Sequence, residues 1–209
     1  MFIVFEGVEG SGKSTQATRL SVWLDRLGIR HVLTREPGGT ALGEEIRRVL
    51  LHSDEVPDRS ELLLMLAARA AFVEQVVRPA LARGEVVISD RYELSSLAYQ
   101  GYGRGLPLDE IRRVNVFATG GLRPDLTILL DVDPQEGAVR RDREGRGADR
   151  IERAGDGFHG EVGRAYRLLS ESEPGISVVS GAGTPEAVEL RIRALLHERF
   201  PETFPAAQG

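Results

Sequence analysis

The chain has 209 residues, a formal net charge of −5 and no cysteine. That length suits one domain with a sizeable core. The mild negative charge argues against a surface built as a whole to hold nucleic acid, and the missing cysteines exclude disulfides, thiol nucleophiles and thiolate metal sites.

In chain order, the first element is an apolar strand, Phe2–Phe5, that ends at Glu6 and runs directly into Gly7-Val-Glu-Gly-Ser-Gly-Lys-Ser14-Thr15. Every fixed position of the phosphate-loop pattern G-x-x-x-x-G-K-[ST] is present. Its glycines let successive backbone N–H groups converge on a polyphosphate, Lys13 reaches the β and γ oxygens, and Ser14 offers a hydroxyl to Mg²⁺. Gly7, Val8, Glu9, Gly10, Ser11, Gly12, Lys13, Ser14 and Thr15 are therefore the expected ATP-binding residues. An amphipathic helix over 14–27 follows and stops at Gly28.

A second strand, His31–Thr34, leads into Arg35-Glu-Pro-Gly-Gly-Thr40, whose Pro-Gly-Gly core forces a sharp turn able to aim its neighbours into a crevice. The next helix, 41–51, carries Arg47, a candidate phosphate ligand. Either feature alone would more often be structural. A long helix, 59–83, places Arg69 among Met65, Leu66, Phe72 and Val73, so its guanidinium either meets a ligand, pairs with a carboxylate or snorkels to solvent. The strand Val86–Ser89 then delivers Asp90 and Arg91. In open α/β sheets the carboxyl ends of strands line the ligand crevice, which puts Asp90 near the loop and its Mg²⁺, with helix capping or an Asp–Arg pair as the plainer reading.

Further helices at 108–118, 134–142, 158–172 and 185–199 alternate with strands Leu126–Asp131 and Ile176–Val179. The stretch Arg140–Gly160 is dense in Arg, Asp, Glu and Gly and reads as an exposed, mobile lid, about 140–157. Its arginines form either a solvated face or the cations that stabilise a phosphoryl transition state. Residues 201–209 are expected to fray. Together the elements predict an α/β protein of the P-loop NTPase fold: one domain over 1–209, with a five-stranded parallel sheet, helices on both faces and a short lid. The apolar N-terminal run is too short for a signal peptide and nothing approaches a membrane span, so a soluble cytoplasmic protein with neither membrane nor nucleic-acid partners is expected.

These residues together resemble the thymidylate kinase family. The resemblance spans nearly the whole chain: Phe5-Glu-Gly-Val-Glu-Gly-Ser-Gly-Lys-Ser-Thr-Gln16, Arg35-Glu-Pro-Gly-Gly-Thr40, Ala67-Ala-Arg69, Asp90-Arg-Tyr92, Ser95-Ser-Leu-Ala-Tyr-Gln-Gly101 and Asp149-Arg-Ile-Glu152. It implies an enzyme that uses Mg-ATP to convert dTMP to dTDP, acting as a homodimer. In this chain it implies that Glu9 takes the sugar 3′-hydroxyl, Arg69 reads the thymine edge, and Arg47 with Arg91 holds the acceptor phosphate. Tyr99 would crowd a ribose 2′-hydroxyl, Ser96 and Gln100 would contact the base, and Glu36 and Pro37 would complete the dTMP site. Lys13, Arg91, Arg146 and Arg150 would be catalytic, the last two from the lid, as in bacterial members whose loop carries a residue such as Gly10. Ser14 and Asp90 would hold Mg²⁺. Met65 departs from the pattern, standing where the family often has a phenylalanine that stacks on thymine, although a thioether still makes a polarizable contact with a ring.

No histidine lies in these motifs, and none is required. A phosphate monoester has a second pKa near ~6 and is largely a dianion at neutral pH, so the nucleophile needs no general base. A kinase of another nucleoside monophosphate or of a nucleoside shares the loop; Glu9, Arg69 and Tyr99 discriminate against it. A GTP-dependent switch would carry Asn-Lys-x-Asp and Asp-x-x-Gly motifs, which this sequence lacks.

Overall fold

The computed structural model describes residues 1–143 and 149–205. Five strands, β1 (Phe2–Glu6), β2 (His31–Arg35), β3 (Val86–Asp90), β4 (Leu126–Asp131) and β5 (Ile176–Ser180), form one parallel sheet in the order β2-β3-β1-β4-β5. The expected α/β class and five-stranded parallel sheet are what the chain adopts.

The sheet is apolar on both faces because successive side chains of a strand point to opposite sides. Ile3 and Phe5 pack with Ile88, Ile128 and Val179 under α1 (Lys13–Arg26) and α9 (Pro185–Arg199). Phe2, Val4 and Val87 face the other way. There they meet Phe72, Val73, Val77 and Ala80 of a long helix that starts as α3 (Asp58–Phe72), widens through a π-helical stretch over Val73–Val77, and continues as α4 (Arg78–Ala82). The remaining helices are α2 (Ala41–His52), α5 (Glu93–Ser96), α6 (Leu108–Thr119), α7 (Pro134–Arg143) and α8 (Asp156–Ser172).

One sequence expectation changes. The stretch after Arg91 is helical: α5 runs on as a π-helix over Leu97–Gly103. Its serines, glycines and tyrosines carry little intrinsic helix preference, and packing on α6 and α8 supplies what propensity does not. Within the expected lid span, α7 reaches Arg143 and α8 begins at Asp156, and residues 144–148 lie outside the described residues. The tail is anchored through Phe204, which is fully buried, stacks on Trp23 at 5.7 Å between ring centroids, and has its carbonyl within 2.9 Å of the His197 imidazole. Of the expected tail, residues 206–209 lie outside the described residues.

Candidate active site

Parallel pairing decides where the loop lies. Phe5 is in register with Asp90, so the turn leaving β1 and the last residue of β3 emerge side by side at the carboxyl edge of the sheet. The loop wraps the start of α1, with Gly12 in the left-handed region at φ 92° directly before Lys13. Gly10, at φ 73°, leaves no space for a side chain: a Cβ there would lie 2.0 Å from the carbonyl oxygen of Gly137 in α7. The loop's second variable half is therefore packed against the helix that leads into the lid.

Lys13 is the sole lysine of the chain. Its Nζ donates to the Val8 carbonyl at 2.7 Å and to Ser11 Oγ at 3.3 Å, curling over its own loop. Burial, reinforced by the nearby Arg91 charge, brings its ammonium down to about 8. Ser14 Oγ donates to Asp90 Oδ2 at 2.5 Å. A hydroxyl and a carboxylate side by side form a hard oxygen donor pair of the kind Mg²⁺ accepts, with phosphate oxygens and water filling the other positions. Among the described residues no cluster of three His, Cys, Asp or Glu forms a metal cage.

The loop opens onto a cavity of about 630 Å³ that Glu36, Arg47, Arg91 and Asp149 also line. Arg91 is the most constrained of these. It is the non-glycine residue with positive φ, 76°, among the described residues, a conformation that costs about 1 kcal/mol and persists only where surroundings impose it. Here Arg91 N–H donates to Phe5 O, Ser89 Oγ donates to Arg91 O, and Tyr92 N–H donates to Glu6 Oε1. The guanidinium lies 3.8 Å from Glu9 Oε1 and donates to the Tyr99 hydroxyl at 3.0 Å. Burial alone would lower its pKa; Tyr99, Tyr166 and Glu9 more than offset that and keep it a cation. Arg47 donates to Pro37 O at 3.2 Å; burial and the adjacent Arg35 charge pull its pKa down.

Arg69 lies deeper than its expected role requires. Its side chain is fully buried and makes four hydrogen bonds: Nε to Glu36 Oε2 at 2.7 Å, Nη1 to Ser96 Oγ at 2.8 Å and to Asn115 Oδ1 at 2.5 Å, and Nη2 to Tyr92 O at 2.8 Å, with Nη2 also 2.7 Å from Glu36 Oε2 in the ion pair. In this conformation the guanidinium is held by Glu36, Ser96, Asn115 and the Tyr92 carbonyl on the floor beneath the expected base site. Burial pushes the Glu36 carboxyl up to about 7 against the pull of Arg69. On the arginine, burial works downward and Glu36 more than offsets it. Met65, Arg69, Ser96, Tyr99 and Gln100 do not line the cavity, whereas Glu9, Glu36, Arg47 and Arg91 do. Four buried polar atoms are nevertheless without partners on this side: Glu9 Oε2, Glu36 Oε1, Gln100 Oε1 and Asn115 Nδ2. Native proteins leave few such atoms, and both donors and acceptors are represented. Asn115 escaped the sequence reading because an asparagine in an amphipathic helix carries no signal of its own.

A family model described as thymidylate kinase matches residues 5–192. The chain belongs to the thymidylate kinase family. It is 49% identical to the thymidylate kinase of Desulforudis audaxviator (strain MP104C), over 100% of this chain and 96% of the relative. It is 47% identical to that of Synechococcus sp. (strain JA-3-3Ab), over 98% of this chain and 99% of the relative. The crystal structure of thymidylate kinase from Ehrlichia chaffeensis superimposes with a TM-score of 0.78 at 31% identity, covering 94% of this chain and 98% of that one.

For a thymidylate kinase family member, the way this lid meets the body is informative. Arg150 does not face the cavity. Its Nε donates to Leu50 O at 2.8 Å and its Nη2 to Glu61 Oε2 at 2.6 Å, so the lid's return is tied to α2 and α3. Glu61, another residue that sequence reasoning passed over, is fully buried and also accepts from Gln100 and Arg104. Burial opposes its ionisation, yet hydrogen bonds from Gln100 and Arg150 and the charge of Arg104 bring its pKa below the ordinary value. Arg146 lies outside the described residues.

Proposed function

We propose that this chain phosphorylates dTMP to dTDP with Mg-ATP as donor, by in-line transfer, in the supply of dTTP. The observation that carries the reading is a single cavity that a phosphate loop with Lys13 and two further cations, Arg47 and Arg91, line together. One polyphosphate and one separate phosphate monoester fit that division of charge. A nucleoside acceptor would leave the second pair of cations unused, and a regulatory switch would need neither.

Lys13 neutralises the donor's β and γ oxygens, with Val8 to Thr15 cradling them. Ser14 and Asp90 would hold Mg²⁺, which draws charge off the transferring phosphoryl group when bound. Arg91 and Arg47 fix the acceptor phosphate, already a dianion, so that its oxygen needs no base. Glu9, with Oε2 unpartnered, accepts from the sugar 3′-hydroxyl. Glu36, Pro37, Met65, Ser96, Tyr99 and Gln100 shape the sugar and base site. Arg69, held by Glu36, Ser96 and Asn115, reads the thymine edge. Arg146 and Arg150 supply lid charge, Arg150 doing so after leaving Glu61. The protein acts as a cytoplasmic homodimer: Leu63 of α3 and Val116 and Phe117 of α6 lie on packed neighbouring helices and are 62%, 49% and 89% exposed.

The test is ADP release from Mg-ATP with dTMP, dUMP, UMP, dCMP, AMP, GMP and thymidine offered separately. Preference for dTMP supports the assignment, and in Tyr99→Ala the discrimination against ribose monophosphates should relax. Turnover of thymidine, or no turnover with any acceptor, would remove it.

A further inference from the structure

Arg91 is steered from a distant part of the chain. Tyr166, in the middle of α8, is buried, and its hydroxyl reaches three groups at once: it donates to Glu6 Oε2 at 2.9 Å, accepts from Arg91 Nη1 at 3.2 Å and lies 3.0 Å from Ser95 Oγ. Ser95 Oγ repeats the arrangement, donating to Glu6 Oε2 at 2.6 Å and accepting from the same Nη1 at 3.1 Å. Glu6 thus has no direct bond to Arg91. Two hydroxyls stand between them, each turned by the carboxylate so that its lone pairs face the guanidinium.

We infer that Tyr166 is a positioning residue for Arg91, holding the guanidinium at the angle that meets the acceptor phosphate. The geometry divides the arginine's donors in two. Nη1 is committed to Tyr166, Ser95 and the Gly7 carbonyl, and one Nη2 hydrogen to Tyr99. The Nε hydrogen and the second Nη2 hydrogen have no acceptor among the described residues, on a side chain that lines the cavity. Nε and Nη2 share one edge of the planar fork, the edge that binds phosphate in bidentate fashion, with Glu9 Oε1 3.8 Å from Nη2. An arginine on a strained backbone has several ways to rotate, and fixing one end of its fork selects the orientation in which the other edge is open. Tyr166 also brings α8, the helix that follows the lid, into contact with the acceptor side.

This inference rests on the proposed role of Arg91 at the acceptor phosphate. The isosteric change Tyr166→Phe removes only the hydroxyl, and it is measured alone and in an Arg91→Ala background. The expected result is about a tenfold rise in the KM for dTMP, an unchanged KM for ATP, and no further rise when Arg91 is already alanine. An equal effect in both backgrounds, a matching rise in the ATP KM, or no effect while Arg91→Ala itself raises the dTMP KM would overturn the positioning role and leave Arg91 in place. An Arg91→Ala variant with unaltered dTMP KM would instead overturn the phosphate assignment and the inference with it.

Discussion

Replacing Glu36 by glutamine should flatten the dependence of stability on pH. The carboxylate is 3% exposed, Oε2 carries both contacts from Arg69, and Oε1 has no partner. Burial raises its folded pKa from the ordinary 4.5 to about 7. Between those values the folded state holds a proton that the unfolded chain has released, so stability falls as pH rises through the window and is fullest below it. Each pH unit between the two values is worth about 1.36 kcal/mol, so the loss between about pH 5 and about pH 8 is on the order of 2.5 kcal/mol. Glu36→Gln cannot titrate. It leaves the Arg69 cation without its anion, which lowers stability by about 3 kcal/mol wherever Glu36 would be charged. Urea unfolding of both proteins at several pH values separates the two effects, since the offset is read at one pH and the titration from the difference in slope. Parallel profiles would refute the reasoning, because they would mean that Glu36 stays ionised throughout as a permanent partner of Arg69.

Two further outcomes are expected. With a single lysine in the chain, Lys13 can be followed directly by NMR of ¹³C-lysine-labelled protein; its ammonium should titrate near 8 in the free protein and move upward when ATP is added, so ATP affinity should weaken as pH rises past that value. A titration at the ordinary lysine value, unchanged by ATP, would contradict it. Placing a charge on the exposed apolar face, as in Phe117→Glu with Leu63→Glu, should shift the protein to monomer in sedimentation without lowering its thermal midpoint by more than a few degrees; an unaltered sedimentation profile would place any self-association elsewhere.

How much of this was readable without coordinates depended on whether the signal was local. The phosphate loop, the five strands and the turn at Arg35–Thr40 each rest on neighbours in sequence: glycines at fixed spacing, apolar β-branched runs and a Pro-Gly-Gly turn. The same is true of Asp90, because the end of an apolar strand is visible in the chain and the carboxyl edge of a parallel sheet is where ligands gather. Arg69 was recognisable as a charge that needs a partner among apolar neighbours, but Glu36 lies 33 residues away and Asn115 lies 46, and no periodicity connects them.

The structure decided what those charges do. Packing brings Glu36, Ser96, Asn115 and the Tyr92 carbonyl to Arg69. Glu61 became the buried partner of Arg150 only because α3 lies beneath the lid's return. Phe204 became core because α1 presents Trp23 to it. Sequence by itself determined the element types, their order and the chemistry of the loop, all of which follow from short-range sterics and from the alternation of apolar side chains. The partners of buried charges, the helical state of Glu93–Gly103 and the hold of Tyr166 on Arg91 belong to the tertiary structure, because each depends on groups that meet only after the sheet and its helices have assembled.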